Sequence, residues 1–166
     1  MSELAEDASS EMSKRSFLVV CQTARFSAVW ILLGVVFPWV RVSGTTSYIA
    51  DSGLEVGVSS RTVEGYETAD GIWVFILGFA VIVAVAVYKS SERLWALVLA
   101  AMSSLAILAT AIIDMASLHR LAGDWPEPRE ASVHFGLYIV LIASLFLAVS
   151  IAVLVWEYAR QDKAGR

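Results

Sequence analysis

Apolar and polar positions in this chain fall into long blocks rather than mixing residue by residue. Roughly Phe17–Trp39, Ile72–Tyr88, Leu94–Leu118 and Val133–Trp156 are almost unbroken apolar runs. Each is close to the ~20 residues that a helix needs to cross the hydrocarbon core of a bilayer. The pattern predicts an all-α integral membrane fold, an antiparallel four-helix transmembrane bundle with helices at about 17–39, 71–88, 93–119 and 132–158. Four or five polar residues, Lys89–Arg93, turn the second helix into the third, which makes those two antiparallel neighbours.

The segment 40–70 breaks the helical pattern. Val42, Thr45, Thr46, Tyr48 and Ile49 favour strand, and Leu54, Val56 and Val58 alternate with Glu55, Gly57 and Ser59. Asp51-Ser52-Gly53 between them supplies turn residues. A small extracytoplasmic β-hairpin between helices 1 and 2 follows, with a third short strand expected near Arg61–Tyr66. Asp70 is the expected N-cap of helix 2. Gly123-Asp124-Trp125-Pro126-Glu127-Pro128 reads as a rigid external loop. Residues 1–15 read as a disordered cytoplasmic tail, 16–159 as one membrane domain and 160–166 as a second cytoplasmic tail.

Composition supports the block pattern: 58% of the 166 residues are hydrophobic and the mean hydropathy is +0.70. A soluble domain of this length would not carry so much apolar surface in such runs. The formal charge is −4, and the charges form no basic stripe of the kind that binds nucleic acid. Cys21 stands alone, so the external segment holds its shape without an internal disulfide. Lys14-Arg15 ahead of an apolar run looks like the start of a signal peptide. The run continues past a normal signal length without a small-x-small cleavage site, and it reads as an uncleaved first helix.

Charge also orients the bundle. One set of helix ends carries Lys14, Arg15, Lys89, Arg93, Arg160, Lys163 and Arg166; the other carries Arg41, Arg61, Arg120 and Arg129 in longer loops. The positive-inside rule places both termini in the cytoplasm of a multi-pass cell (plasma) membrane protein. Trp39, Trp73, Trp125 and Tyr138 are expected at the outer boundary, and Tyr88, Trp95, Trp156 and Tyr158 at the inner one, as headgroup-level anchors.

Inside lipid, close approach through small residues draws helices together. Ala96, Ala100 and Ser104, and on helix 4 Gly136, Ser144, Ala148 and Ala152, are the candidate packing stripes. They serve either the bundle or the docking of another subunit or a second copy. Charges inside a span are costly, so they mark candidate functional or pairing positions. Arg25 lies two turns into helix 1, with Glu157 as its candidate partner, and Gln22, Thr23 and Ser27 beside it are candidate lining of a small cavity. Asp114 lies late in helix 3, with Arg41 the better-placed partner. His119 and His134 flank the third loop and are the chain's two histidines; facing one another they would suit haem or a metal, though solvated interfacial histidines are the commoner case. No HExxH, GxSxG or Walker loop is present.

Pro38-Trp39, the β-prone loop after it, Asp70-Gly71 and the Gly136-Leu137-Tyr138 start of helix 4 resemble small prokaryotic four-helix membrane proteins of unassigned function, in outline over residues 17–158. Claudin-type tetraspan proteins share the plan of a β-bearing first external loop. The chain lacks their paired loop cysteines and their Gly-Leu-Trp signature, having Gly53-Leu54-Glu55 instead, so the likeness is one of architecture.

These readings lead to a non-enzymatic membrane protein without cofactor that acts through protein contacts. Its expected partners are the lipid bilayer and other membrane subunits or a second copy of itself, in the role of an accessory or assembly subunit of a larger membrane complex. A homo-oligomeric channel or small transporter using Arg25, Asp114 and the acidic external loop is the alternative, and a haem or metal enzyme at His119 and His134 stands behind it.

Overall fold

The computed structural model describes residues 2–50, 53–91, 93–118 and 130–164. It is mostly helical, with four long helices: α1 (Ser2–Val36), α2 (Ala69–Ser91), α3 (Leu94–Ala116) and α4 (Phe135–Ala164). Within them, Arg15–Val36, Ala69–Ser91, Leu94–Ala116 and Phe135–Arg160 are long and apolar enough to cross a membrane, which suggests a multi-pass membrane protein. A small antiparallel sheet completes the fold, with strands β1 (Pro38–Ala50), β2 (Gly53–Glu64) and β3 (Glu130–Val133) in the order β2-β1-β3.

Several boundaries differ from the sequence reading, each for a local reason. The first helix, expected from residue 17, spans Ser2–Val36. The same helix stops at Val36 rather than 39. Phe37 precedes a proline, which disfavours the helical region, and Pro38-Trp39 open β1 instead.

The hairpin is present, with register running from Val40↔Val63 to Ala50↔Gly53 and an irregularity between Pro38 and Val40. Asp51 and Ser52 of the expected turn lie outside the described residues, as do His119, Arg120 and the loop 123–128. The third strand is not near Arg61–Tyr66. Arg61–Glu64 belong to β2, and a single 3-10 turn, Gly65–Glu67, follows. The third strand is β3, paired as Val40↔Val133 through Ser43↔Glu130, and it delays the start of α4 from 132 to Phe135. Nothing short-range marks Glu130–Val133 as strand; its partner lies some ninety residues away in sequence.

The helices pack in a ring, α1 against α2 and α4, and α3 against the same two. Their buried positions recur in steps of three and four. α1 buries Cys21, Ala24, Ala28, Ile31 and Val35, and α2 buries Val74, Gly78, Val81, Val85 and Tyr88. α3 buries Ala100, Ser104, Ile107, Ala111 and Asp114, and α4 buries Leu137, Val140, Ser144, Leu147, Ile151 and Leu154. A 3.5-residue average is the spacing of left-handed helix packing. Alanine, serine and glycine share the inside with valine, isoleucine and leucine, while Phe26 (65% exposed), Met102 (64%), Phe79, Phe146 and Trp156 point outward.

Candidate functional site

Three places on this frame gather side chains with chemical potential: the joint between the sheet and the bundle, the opposite end of the bundle, and the faces on either side of α4.

At the joint, Trp39 is fully buried, where an interfacial anchor was expected. Its indole Nε1–H donates to Gly34 O at 3.0 Å, so the ring needs no water for its polar edge. Its backbone carbonyl accepts the His134 N–H at 2.7 Å, which ties the start of α4 to β1. Gly65 lies against the ring: a Cβ there would sit 2.5 Å from Trp39 Nε1 and 2.6 Å from Val35 O. Gly136 brings α4 equally close, since its Cβ would meet Pro38 O at 2.6 Å and Phe37 O at 2.7 Å. The Phe37 and Phe135 rings pack beside this crossing with centroids 4.7 Å apart.

Thr68, rather than Asp70, caps α2. Its hydroxyl donates to Gly65 O at 2.7 Å and accepts the Gly71 N–H at 2.9 Å, the N3 amide of the helix. Asp70 sits inside the first turn, where its charge suits the helix dipole. Around the 3-10 turn, Glu64 N–H donates to the Glu67 carboxylate at 3.3 Å and Arg61 approaches Glu67 at 3.9 Å, an exposed ion pair of little energetic weight. The Tyr66 phenol hydrogen-bonds to the Glu64 carboxylate, and that bond together with the Glu64 charge holds its pKa above the ordinary 10.0.

The predicted site residues divide between the ends. Asp114 is fully buried in the last turn of α3, near the sheet, and its Oδ2 accepts no hydrogen bond among the described residues, although the carboxylate has other interactions. Arg41 is exposed on β1 between the buried Val40 and Val42, so it turns away from the bundle. His134, half-buried, links β3 to α4; its Nδ1 is buried and makes no hydrogen bond among the described residues. At the opposite end, Arg25, Glu157 and Lys89 all lie near enough to the buried Cys21 thiol to act on it electrostatically. Arg25 and Glu157 therefore share a neighbourhood, yet no ion pair within 4 Å joins them among the described residues.

The packing stripes are partly inside and partly out. Ala96, Ala100, Ser104 and Ser144 are buried, but Ala148 is half-buried and Ala152 exposed. A step of four advances ~40° around a 3.6-residue helix, so Ser144, Ala148 and Ala152 wind off the seam. The inward serines do not cross-link helices. Ser104, Ser144 and Ser150 donate to Ala101 O, Leu141 O and Phe146 O of their own helices at 2.8–2.9 Å.

Apolar grooves lie on either side of α4 among the described residues. The first, of about 400 Å³, lies between α1 and α4 and is lined by Thr23, Ser27, Trp30, Ile142 and Phe146 among others. Thr23 and Ser27 thus do line a cavity, while Arg25 is exposed and absent from its walls. The second, of about 430 Å³, runs between α3 and α4 past Ala101, Ser104, Ala148, Ala152, Trp156 and Ala159. At its far end the Arg160 guanidinium stands over the Trp156 ring, 5.5 Å from the centroid. Of the alanines in this second groove, sequence reasoning singled out Ala148 and Ala152, as packing for the bundle or for another subunit or copy; Ala101 and Ala159 it did not single out. No protein-family model matches this chain, and no curated protein is similar enough to it to count as a relative.

Proposed function

We propose that this protein is inserted in the cell membrane through its four apolar helices, with both termini in the cytoplasm and the sheet outside. There it acts through protein contacts, as a non-enzymatic accessory or assembly subunit of a larger membrane complex. The observation that carries the reading is the large apolar surface that the helices turn outward, with Phe26, Phe79, Met102 and Phe146 facing out on all four sides. Water would penalise that surface, whereas lipid accepts it. The excess of Lys and Arg at the end opposite the sheet supports the orientation. The sheet pinned to the bundle by Trp39 and Gly136 supplies a surface for partners.

Affinity purification from native membranes in mild detergent tests this, with mass spectrometry and an absorbance spectrum of the same sample. Stoichiometric foreign subunits are the expected result. Recovery of this chain alone, colourless, counts against it. The buried Asp114 favours a second reading, a homo-oligomeric channel or small transporter, because a carboxylate inside a span is costly and commonly serves ions or protons. Liposomes that show no ion or solute flux across several pH values sink that reading.

A further inference from the structure

We propose that the groove between α3 and α4 is a binding site for an anionic phospholipid, with an acyl chain between the helices and the phosphate at Arg160. The inference rests on the membrane reading above and goes beyond it by naming a ligand. The groove is apolar, and alanines stand where larger side chains of α3 and α4 would fill the gap: Ala101 on one side, Ala148, Ala152 and Ala159 on the other. Its 430 Å³ is room for roughly a dozen groups of ~30 Å³, the share of one water in the liquid and the order of a methylene. A groove with this lining gives water no hydrogen-bond partners, and an alkyl chain fills it with dispersion contacts.

The charge at its end selects the headgroup. Trp156 forms part of the groove wall and is 62% exposed, and Arg160 lies over its ring with the guanidinium at 5.5 Å. The stacking fixes the planar fork one turn beyond the apolar lining, where a headgroup phosphate would sit if the chain occupies the groove. Arg93, the exposed N-cap residue just before α3, adds a second cation at the same end of the bundle. The two cations at the mouth complement an anionic lipid rather than a zwitterionic one. On the proposed topology this mouth faces the cytoplasmic leaflet.

The test uses the full-length chain, first floated with liposomes and washed in alkaline carbonate, then purified in mild detergent and stripped of lipid. Native mass spectrometry follows its titration with dioleoylphosphatidylglycerol and with dioleoylphosphatidylcholine. The wild type should hold the glycerol lipid at least about fivefold more tightly, the weight of one surface cation. Arg160→Gln, an exposed change without consequence for folding, should bring the two lipids near parity. Ala152→Phe should lose both, and Ile142→Phe, which fills the other groove, should behave as wild type. Equal retention of the two lipids by the wild type overturns the proposal, as does Ala152→Phe binding like wild type while its helical circular dichroism is intact. A dimer mass without lipid adducts overturns it in favour of a second copy in the groove. A chain that floats but ignores lipid charge loses this proposal alone; one that does not float loses the membrane reading as well.

Discussion

The seam of the helical bundle and its joint with the sheet are both buried, yet they cohere by different physics. In the seam nothing directional crosses between helices at Ser104, Ser144 and Ser150, whose hydroxyls turn back to their own backbones. What matters there is size, since alanine and serine let the helices approach. At the joint, every contact is specific. Trp39 uses its indole N–H on Gly34 O and its carbonyl on the His134 amide, and Gly65 and Gly136 leave no space for a methyl group. The difference teaches that a seam tolerates changes of polarity at constant volume, whereas the joint tolerates neither.

Substitutions separate the two regimes, and the largest effect belongs at the joint. Trp39→Ala removes a fully buried ring and orphans the contacts around it, for about 3–5 kcal/mol. Thermal unfolding in detergent, followed by circular dichroism, should show a large drop; a small one would mean the sheet is not fastened through this residue. Gly136→Ala comes next, at about 1–3 kcal/mol, because the methyl meets carbonyl oxygens of Phe37 and Pro38 that belong to the backbone and cannot swing aside. Thr68→Ala loses the α2 cap, for about 1 kcal/mol in the same assay, whereas Asp70→Asn should cost less than the cap does. If the order is reversed, Asp70 holds the helix end after all.

Ser144→Ala sharpens the contrast from the other side. Its hydroxyl serves only its own helix, so the change should stay within ~0.5 kcal/mol although the residue is fully buried. A loss of several times that would reveal an interhelical bond. The smallest effect concerns pH. The Tyr66 phenol is held above its ordinary pKa of 10.0 by its bond to Glu64, so the neutral phenol is the favoured partner in the folded state. A raised folded value means that this contribution is complete below about pH 10 and is lost as pH climbs through the folded pKa. Ultraviolet titration should show the Tyr66 step move down in Glu64→Gln, and an unmoved step would dissociate the two side chains.

How much of this was legible beforehand varied with the range of the interaction. The four apolar helices and the hairpin were readable because a run of apolar residues and a period of two are local signals. The Trp39 joint was read as a headgroup anchor, because an amphipathic ring after a proline at the end of a run looks the same whether lipid or protein covers it. β3 was missed altogether: Glu130–Val133 carries no strand signal of its own and is strand only because β1 accepts it. Asp70 was taken for the cap because it is the better capping residue in isolation, yet the fold placed Thr68 where its hydroxyl reaches Gly71.

The stripes show the division most clearly. The chain by itself determined that small residues recur on α3 and α4, and that the helices are apolar on every face, since both follow from composition and spacing. Only the tertiary structure decided which of those residues are shared between helices. Winding of ~100° per residue puts Ser144 inside, Ala148 at the margin and Ala152 out, and a neighbour's position is needed to know where the margin falls. The same holds for Arg160 over Trp156 at the end of a groove. Spacing allows the stacking, but the groove exists only because α3 stands beside it.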